Sequence, residues 1–464
     1  MPWMDGVLKA LHLSFPPPHG SQPMEPDILM EPFTKLTALT EDVELPNNFS
    51  NLFLKSENFV NAQATFSVNV VSNERTTKEH HFQEVRKIVF SIPETLSYTP
   101  GDLLLVQPEN SMESVDYLID FLGINANNRV TFSSPRKSPT LCTIRDLFTK
   151  YLDFNGRPTR YFFELLSHFA TASHEREKLL ELSLPANLED LYAYAHRPRR
   201  TKLEVLRDFP TLRRRIPLEY VIDVFGWMEP RAFSICSSMK KHVGELHVCY
   251  AVVRYKTSLL LPRMGVCTNW MKSLESGFKV ECCWVEPGTL RLPEDNSTTL
   301  LMIGPGTGVA PFRAFIEERS FEFNKTGCLV FGNRYKAQDY LFGEEWEEYI
   351  NNGQLHVITA FSRDQELKVY VQHKIRENGR YIWNLINRGA YVYICGNARR
   401  MPEDVMNALM EVIQLFGPMT LKSAEEYVSR MRKERRLHTE TCSKEASTTL
   451  EPPLEFSTNI IIAQ

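Results

Sequence analysis

Gly304-Pro305-Gly306-Thr307-Gly308 is the first of three stretches whose residue types and spacing could do chemistry. It follows the apolar run Leu300–Ile303 and precedes helical apolar spacing from Val309 to Arg319. Glycines at a strand-to-helix turn let backbone N–H groups close on an anion, and the helix N-terminus adds a favourable dipole. Gly306, Thr307 and Gly308 therefore form a candidate pyrophosphate cradle. It is not the dinucleotide fingerprint, because Val309 stands in the third glycine's place, nor a P-loop, because no Gly-Lys-Ser/Thr follows. The second stretch follows the apolar run Leu355–Ala360: Ser362, Arg363 and Lys368 can hold a phosphate, and Tyr370 can stack on a flat base. Positive charge here suits a ribose 2′-phosphate, where a free diol would be met by an acidic residue. The third is Arg231-Ala232-Phe233-Ser234, whose guanidinium offers a fork of donors for a diphosphate. By itself it also reads as a strand with a buried aromatic. Cys395-Gly396-Asn397 ends a further apolar run, and a bare cysteine there is ordinarily a small core residue.

The elements that must position these residues change character along the chain. Residues 1–47 read as the end of something missing followed by a proline-rich linker: apolar Trp3, Val7, Leu8 and Leu11, then Pro16-Pro17-Pro18 and acidic spacer. Residues 48–110 carry β-branched runs at Ala64–Val71, Val85–Ile92 and Leu103–Val106, the first part of an antiparallel barrel. Residues 111–220 switch to helical spacing, as in Val115, Leu118, Ile119 and Leu122, and form a helical insertion. Strand signals resume over 221–295, completing the barrel, with Gly265 opening a helix. Over 296–442 strands and helices alternate, which predicts right-handed βαβ units in a Rossmann-like parallel sheet. Residues 443–464 are a polar tail whose composition predicts disorder.

Composition excludes several classes. The 464 residues carry 43% hydrophobic and 24% charged residues with a net charge of -4, so nothing overall argues for nucleic acid. The nine cysteines show no C-x-x-C or His/Cys ligand spacing, so no disulfide framework and no metal site is expected. No secretory leader is evident, and no apolar run reaches the ~20 residues that span a bilayer. A reducing, cytoplasmic location without membrane attachment is the expectation.

Arg231-Ala232-Phe233-Ser234, Gly265-Val266-Cys267-Thr268, the glycine turn at 304–308 and Ser362-Arg363 occur in an order that resembles ferredoxin–NADP reductase-like proteins. The insertion at 111–220 narrows the resemblance to the diflavin reductases, the group containing cytochrome P450 reductase. It covers roughly residues 48 to 441. The resemblance implies an antiparallel barrel binding FAD, then an NADP-binding domain. It assigns Arg199, Arg231, Ala232, Phe233, Ser234, Gly265, Val266, Cys267 and Thr268 to FAD. To NADPH it assigns Gly306, Thr307, Gly308, Ser362, Arg363, Lys368, Val369, Tyr370, Val371, Gln372 and Asp404. Ser234, Cys395 and Glu440 would assist hydride transfer, with Phe233 against the isoalloxazine ring.

The resemblance further implies single-electron delivery toward FMN and then anamorsin, in cytosolic iron–sulfur assembly. Two departures stand against the pattern. The chain has no room for the flavodoxin-like FMN domain before residue 48, residues 1–18 resembling only that domain's final helix and exit, and Cys442 stands where the family's flavin-shielding tryptophan is expected. Such a change would relax the preference for NADPH over NADH. Two alternatives remain open: a single-flavin reductase of the ferredoxin reductase type, and a catalytically impaired isoform that binds partners.

Overall fold

The computed structural model describes residues 28–39, 66–134, 137–259, 262–321, 327–398 and 400–442. Of the remnant and linker expected at 1–47, all but residues 28–39 lie outside these residues, as does the tail at 443–464. In chain order the strands are β1 (Lys35–Ala38), β2 (Phe66–Arg75), β3 (Val85–Ser91), β4 (Leu103–Val106), β5 (Arg129–Ser134), β6 (Lys137–Thr143), β7 (Arg231–Ser234) and β8 (Glu245–Ala251). Then come β9 (Arg254–Tyr255), β10 (Arg263–Met264), β11 (Lys279–Glu286), β12 (Leu300–Pro305), β13 (Gly327–Asn333), β14 (Leu355–Phe361), β15 (Tyr391–Asn397) and β16 (Leu437–Cys442).

Six strands form an antiparallel sheet in the order β7-β4-β11-β2-β3-β8. A bridge from Ile235 to Val248 joins its two ends, which closes the barrel. Val68, Val70, Ile88, Phe90, Leu104, Phe233, Leu246 and Tyr250 fill its interior. Alternate residues of each strand point inward, so period-two sequence becomes one sealed core.

The insertion is helical as its spacing predicts, but it also holds a three-stranded sheet ordered β1-β5-β6. The segment 35–38, read as spacer, is the outer strand β1, paired along β5 from Lys35↔Ser133 to Ala38↔Val130. Asp223 explains why it docks: its carboxylate accepts the N–H groups of Phe33 at 2.5 Å and Thr34 at 3.2 Å. Leu36, 5% exposed, then joins the insertion's core. A four-residue strand gains nothing alone and is fixed by partners nearly 100 residues away, so no local pattern announces it. The helix Val221–Phe225 also packs in this core, so the barrel resumes at Arg231 rather than at 221.

The third unit is a parallel sheet ordered β14-β13-β12-β15-β16. Its strands alternate between two apolar layers. Leu301, Ile303, Cys328, Val330, Val392 and Ile394 face one set of helices. Leu300, Met302, Leu329, Phe331, Tyr393 and Cys395 face the other set, together with Val85, Cys236, Cys249 and Ala251 of the barrel. The second layer is therefore the joint between barrel and sheet, and Cys395 lies in it. No helix among the described residues is long and apolar enough to cross a membrane.

Candidate active site

The glycine turn is built as its residue types require. Gly306–Val309 is a single 3-10 turn leading into the helix Ala310–Ser320. Gly306 has φ +60°, and a Cβ placed on it would meet nothing within 4 Å. Gly308 lies against β15: a Cβ there would stand 2.3 Å from the Cys395 carbonyl oxygen. One glycine thus leaves an open concavity, and the other brings the turn onto the strand end that carries Cys395.

Cys395 is 1% exposed, and its register partner across the parallel pair is Glu440 of β16. Partners in register project to the same face of a sheet, so the thiol and the carboxylate share the barrel-facing side. Glu440 is 6% exposed and its Oε2 accepts the Thr289 hydroxyl at 2.5 Å. Thr289 belongs to the connection between β11 and β12, which ties the two domains' edges together. Arg291 pairs with Asp102 at 2.8 Å, and its carbonyl accepts the Tyr393 hydroxyl at 2.6 Å. The Leu290 carbonyl leaves no room for a side chain at Gly101, and the Gly101 carbonyl leaves none at Gly288. Asp102 in turn precedes Leu103, the register partner of Ser234. Ser234 at the barrel edge and Cys395–Glu440 at the sheet edge are thereby linked through one short connection. The sequence reading named the three end points but not Asp102, Thr289 or Arg291; a polar cluster after the barrel's last strand was the available signal.

On the barrel, Arg231 is half-buried and its Nη1 donates to the Glu229 carbonyl at 2.5 Å. Ala232 and Phe233 are 6% and 2% exposed. Phe233 sits edge-on to Tyr250, ring centroids 6.2 Å apart, inside the barrel core. The structure thus surrounds this ring with protein, where a flat ring stacked on it was expected. Gly265 caps the helix Val266–Ser273 without a side-chain cap, and the first N–H groups of a helix have no partner within it. Thr268, 2% exposed, turns its hydroxyl back to accept the Val253 N–H at 2.9 Å. Cys267 is buried at 5%, and burial pushes its thiol up to about 12. Arg199 holds φ +60°, and its Nη1 is buried with no hydrogen-bond partner.

The second phosphate stretch lies at the carboxyl ends of β13 and β14. Ser362 is 7% exposed and its N–H donates to the Asn333 carbonyl at 2.9 Å. Arg363, Lys368 and Tyr370 are exposed, and Val369 and Val371 flank the tyrosine. Arg363 donates its N–H to the Arg334 carbonyl at 2.9 Å, which sets two arginines side by side. Burial, and then the charge of Arg363, hold the Arg334 guanidinium below its ordinary range. Arg334 also lies 3.6 Å over the ring of Phe82, which the barrel supplies. Arg334 is a residue the sequence reading missed, although Asn333-Arg334 ends a strand at the ligand-binding edge. Gln372 donates to Asp404 at 3.3 Å, which brings those two positions together near the start of the helix Met401–Phe416.

His242, Glu245 and His247 also lie within 4.8 Å of one another, a spacing compatible with a metal. A guanidinium can only donate, and Arg313 Nη1 contacts His247 Nδ1 at 3.4 Å. That leaves the His247 proton on Nε2, which faces Glu245 at 2.8 Å, so the lone pair a metal needs is engaged. The cluster is a hydrogen-bond network at the joint.

The residues present fit both dinucleotides. Orphaned buried guanidinium nitrogens of Arg263 stand two residues before Gly265, and Gly306 leaves open space at the turn that leads into a helix. Comparison with known proteins agrees. Residues 58–270 match the FAD binding domain family, and residues 302–407 match the oxidoreductase NAD-binding domain family. The chain is 41% identical over 459 residues to the NADPH-dependent diflavin oxidoreductase 1 of Xenopus laevis, covering 95% of this chain and 76% of that protein. To the protein of that name from Danio rerio it is 38% identical over 455 residues, with the same coverage of each chain. With that of Schizosaccharomyces pombe it shares 36% over 383 residues, 80% of this chain and 65% of the yeast protein. An antiparallel barrel with an FAD site and a parallel sheet with a nicotinamide dinucleotide site, joined by a helical insertion, are thus found with identity along nearly the whole chain: it belongs to the NADPH-dependent diflavin oxidoreductase 1 family.

Proposed function

We propose that the chain oxidises NADPH, passing a hydride to FAD, with the Gly306–Gly308 turn and the Cys395–Glu440 pair acting as one unit. The observation that carries this reading is the contact of Gly308 with the Cys395 carbonyl, which fixes the phosphate cradle against the strand end that holds the thiol. FAD, when bound, accepts two electrons as hydride and returns them singly to acceptors. The protein's part is positional. Gly306 and Thr307 present backbone N–H groups to the diphosphate, and Arg363 with Arg334 balances the 2′-phosphate. Tyr370 supplies a ring face to adenine, and Gln372 and Asp404 supply polar contacts beside it. Ser234, Cys395 and Glu440 line the side on which nicotinamide and flavin meet. Water is excluded there by the apolar joint, which raises the value of orientation.

Downstream, the reading supplies single electrons to FMN and then to anamorsin in cytosolic iron–sulfur assembly. Its support is the family membership and the resemblance of the site. A cytoplasmic location accords with the seven cysteines whose side chains are described, each a buried thiol.

The test is anaerobic mixing of FAD-loaded protein with NADPH, following the flavin band at about 450 nm. Bleaching within the mixing experiment is expected, and an unchanged spectrum with FAD bound would defeat the hydride reading. Reduction of ferricyanide and then of FMN-loaded acceptor with anamorsin separates the first step from the onward transfer.

A further inference from the structure

We propose that Arg263 is a ligand for the FAD diphosphate and that Glu204 is its positioning residue; the inference rests on the FAD site assigned above. Arg263 opens the two-residue strand β10, two residues before Gly265, the cap of the helix Val266–Ser273. Its side chain is only 12% exposed. Nη1 is held at 2.6 Å by Glu204 Oε1, whereas Nε and Nη2 are buried with no hydrogen-bond partner. Those two nitrogens form one edge of the planar guanidinium, the bidentate fork that matches a phosphate. A buried charged donor edge left unmatched is costly, so its presence in a folded chain points to an anion that completes it.

The surroundings aim that edge. Glu204 is the third helical residue of Lys202–Asp208 and closes a capping box with Thr201. Its Oε2 accepts the Thr201 N–H at 2.9 Å while Oε1 holds Arg263. Arg199, two residues before that cap, carries a further orphaned guanidinium nitrogen and a left-handed backbone. Glu204 therefore connects the insertion, which brings Arg199, with the barrel, which brings Arg263 and the Gly265 N–H groups. Glu204 neutralises one end of Arg263 and leaves the opposite edge for the ligand.

The experiment uses the full chain stripped of flavin and titrated with FAD and, separately, with riboflavin, which carries no phosphate. Arg263→Gln is expected to weaken FAD binding about 10- to 100-fold while riboflavin affinity stays within about two-fold. Arg263→Lys should recover part of the loss, because a point charge replaces the fork. Glu204→Gln should weaken FAD less than Arg263→Gln and spare riboflavin, as expected of a residue acting through another. Thermal melts of the apo variants check that each folds. FAD affinity within about two-fold of the parent in Arg263→Gln overturns the proposal, and so does an equal fall for FAD and riboflavin. A parent chain that binds neither flavin defeats the FAD assignment itself, a separate failure.

Discussion

Arg363 and Arg334 lie together at the carboxyl ends of β13 and β14, and Asp339, which accepts the Arg334 N–H at 3.1 Å, offsets their charge only in part. Two guanidinium groups held close repel each other, which is why the second is depressed once burial has weakened its hydration. An anion between them removes that repulsion. A ribose 2′-phosphate has the charge for it, and NADH lacks the group. Arg363→Gln is expected to lower kcat/KM for NADPH about 10- to 100-fold and leave the value for NADH nearly unchanged, since a hydrogen bond to a charged group contributes about 1.5–3 kcal/mol. Steady-state rates with both nucleotides check this. An equal loss for the two would assign Arg363 to structure. Arg334, braced on Phe82 from the barrel, gives the same site a contact that crosses the joint.

At the scale of elements, the turn between β12 and the helix Ala310–Ser320 separates its two outer glycines by role. Gly306→Ala puts a Cβ into open space at φ +60°, where an L side chain is strained by roughly 1–2 kcal/mol. Gly308→Ala sets its Cβ at 2.3 Å from backbone that belongs to β15 and cannot swing away. The expected outcome is a modest fall in melting temperature with weakened NADPH binding for the first. For the second, the loss of stability is much larger, because turn and strand must part. Differential scanning calorimetry with NADP titration tells them apart; similar stability losses for both would contradict the packing described.

Across the whole molecule, barrel and parallel sheet are held together by buried charge as well as by apolar contact. Arg313, 2% exposed, donates to the Cys236 carbonyl at 2.7 Å and pairs with Glu317 at 2.9 Å and Glu345 at 2.7 Å. Burial works to raise the Glu317 carboxyl, but the hydrogen bond from His242 and the charge of Arg313 outweigh it and hold Glu317 below its usual range. His247, against the same arginine, is driven from 6.5 to about 3, first by burial and then by Arg313 and His242. The folded protein therefore keeps His247 neutral where the unfolded chain protonates it. Its contribution is fully present above pH 6.5 and is lost as pH falls toward about 3, with a slope of at most about 1.4 kcal/mol per pH unit. Denaturant unfolding between those limits should show the parent losing stability with acidification more steeply than His247→Gln. Parallel curves would remove His247 from the account.

Much of this architecture was legible because its causes are local. β12 to β15 are apolar runs ended by glycine or polar residues, and a turn such as 304–308 states its conformation in its glycines. The candidate phosphate stretches could be named for the same reason, since an arginine beside a serine at a strand end needs no distant partner to suggest an anion. The strand β1 was not, because four residues become a strand only when β5 and Asp223 present their bonding groups. Nor were Thr289, Arg291 and Asp102, which meet only after the barrel closes and the sheet docks on it. Arg263 looked like any basic residue in a loop until folding buried two of its nitrogens. The sequence by itself determined the order of units, the period of each strand and helix, and the two sites' chemical types, all of which depend on neighbours along the chain. Tertiary structure decided that Cys395 and Glu440 share one face, that Phe233 lies enclosed in the barrel, and which charges stay unmatched. Those outcomes follow from desolvation and register between segments far apart in the chain, and neither exists before the chain has folded.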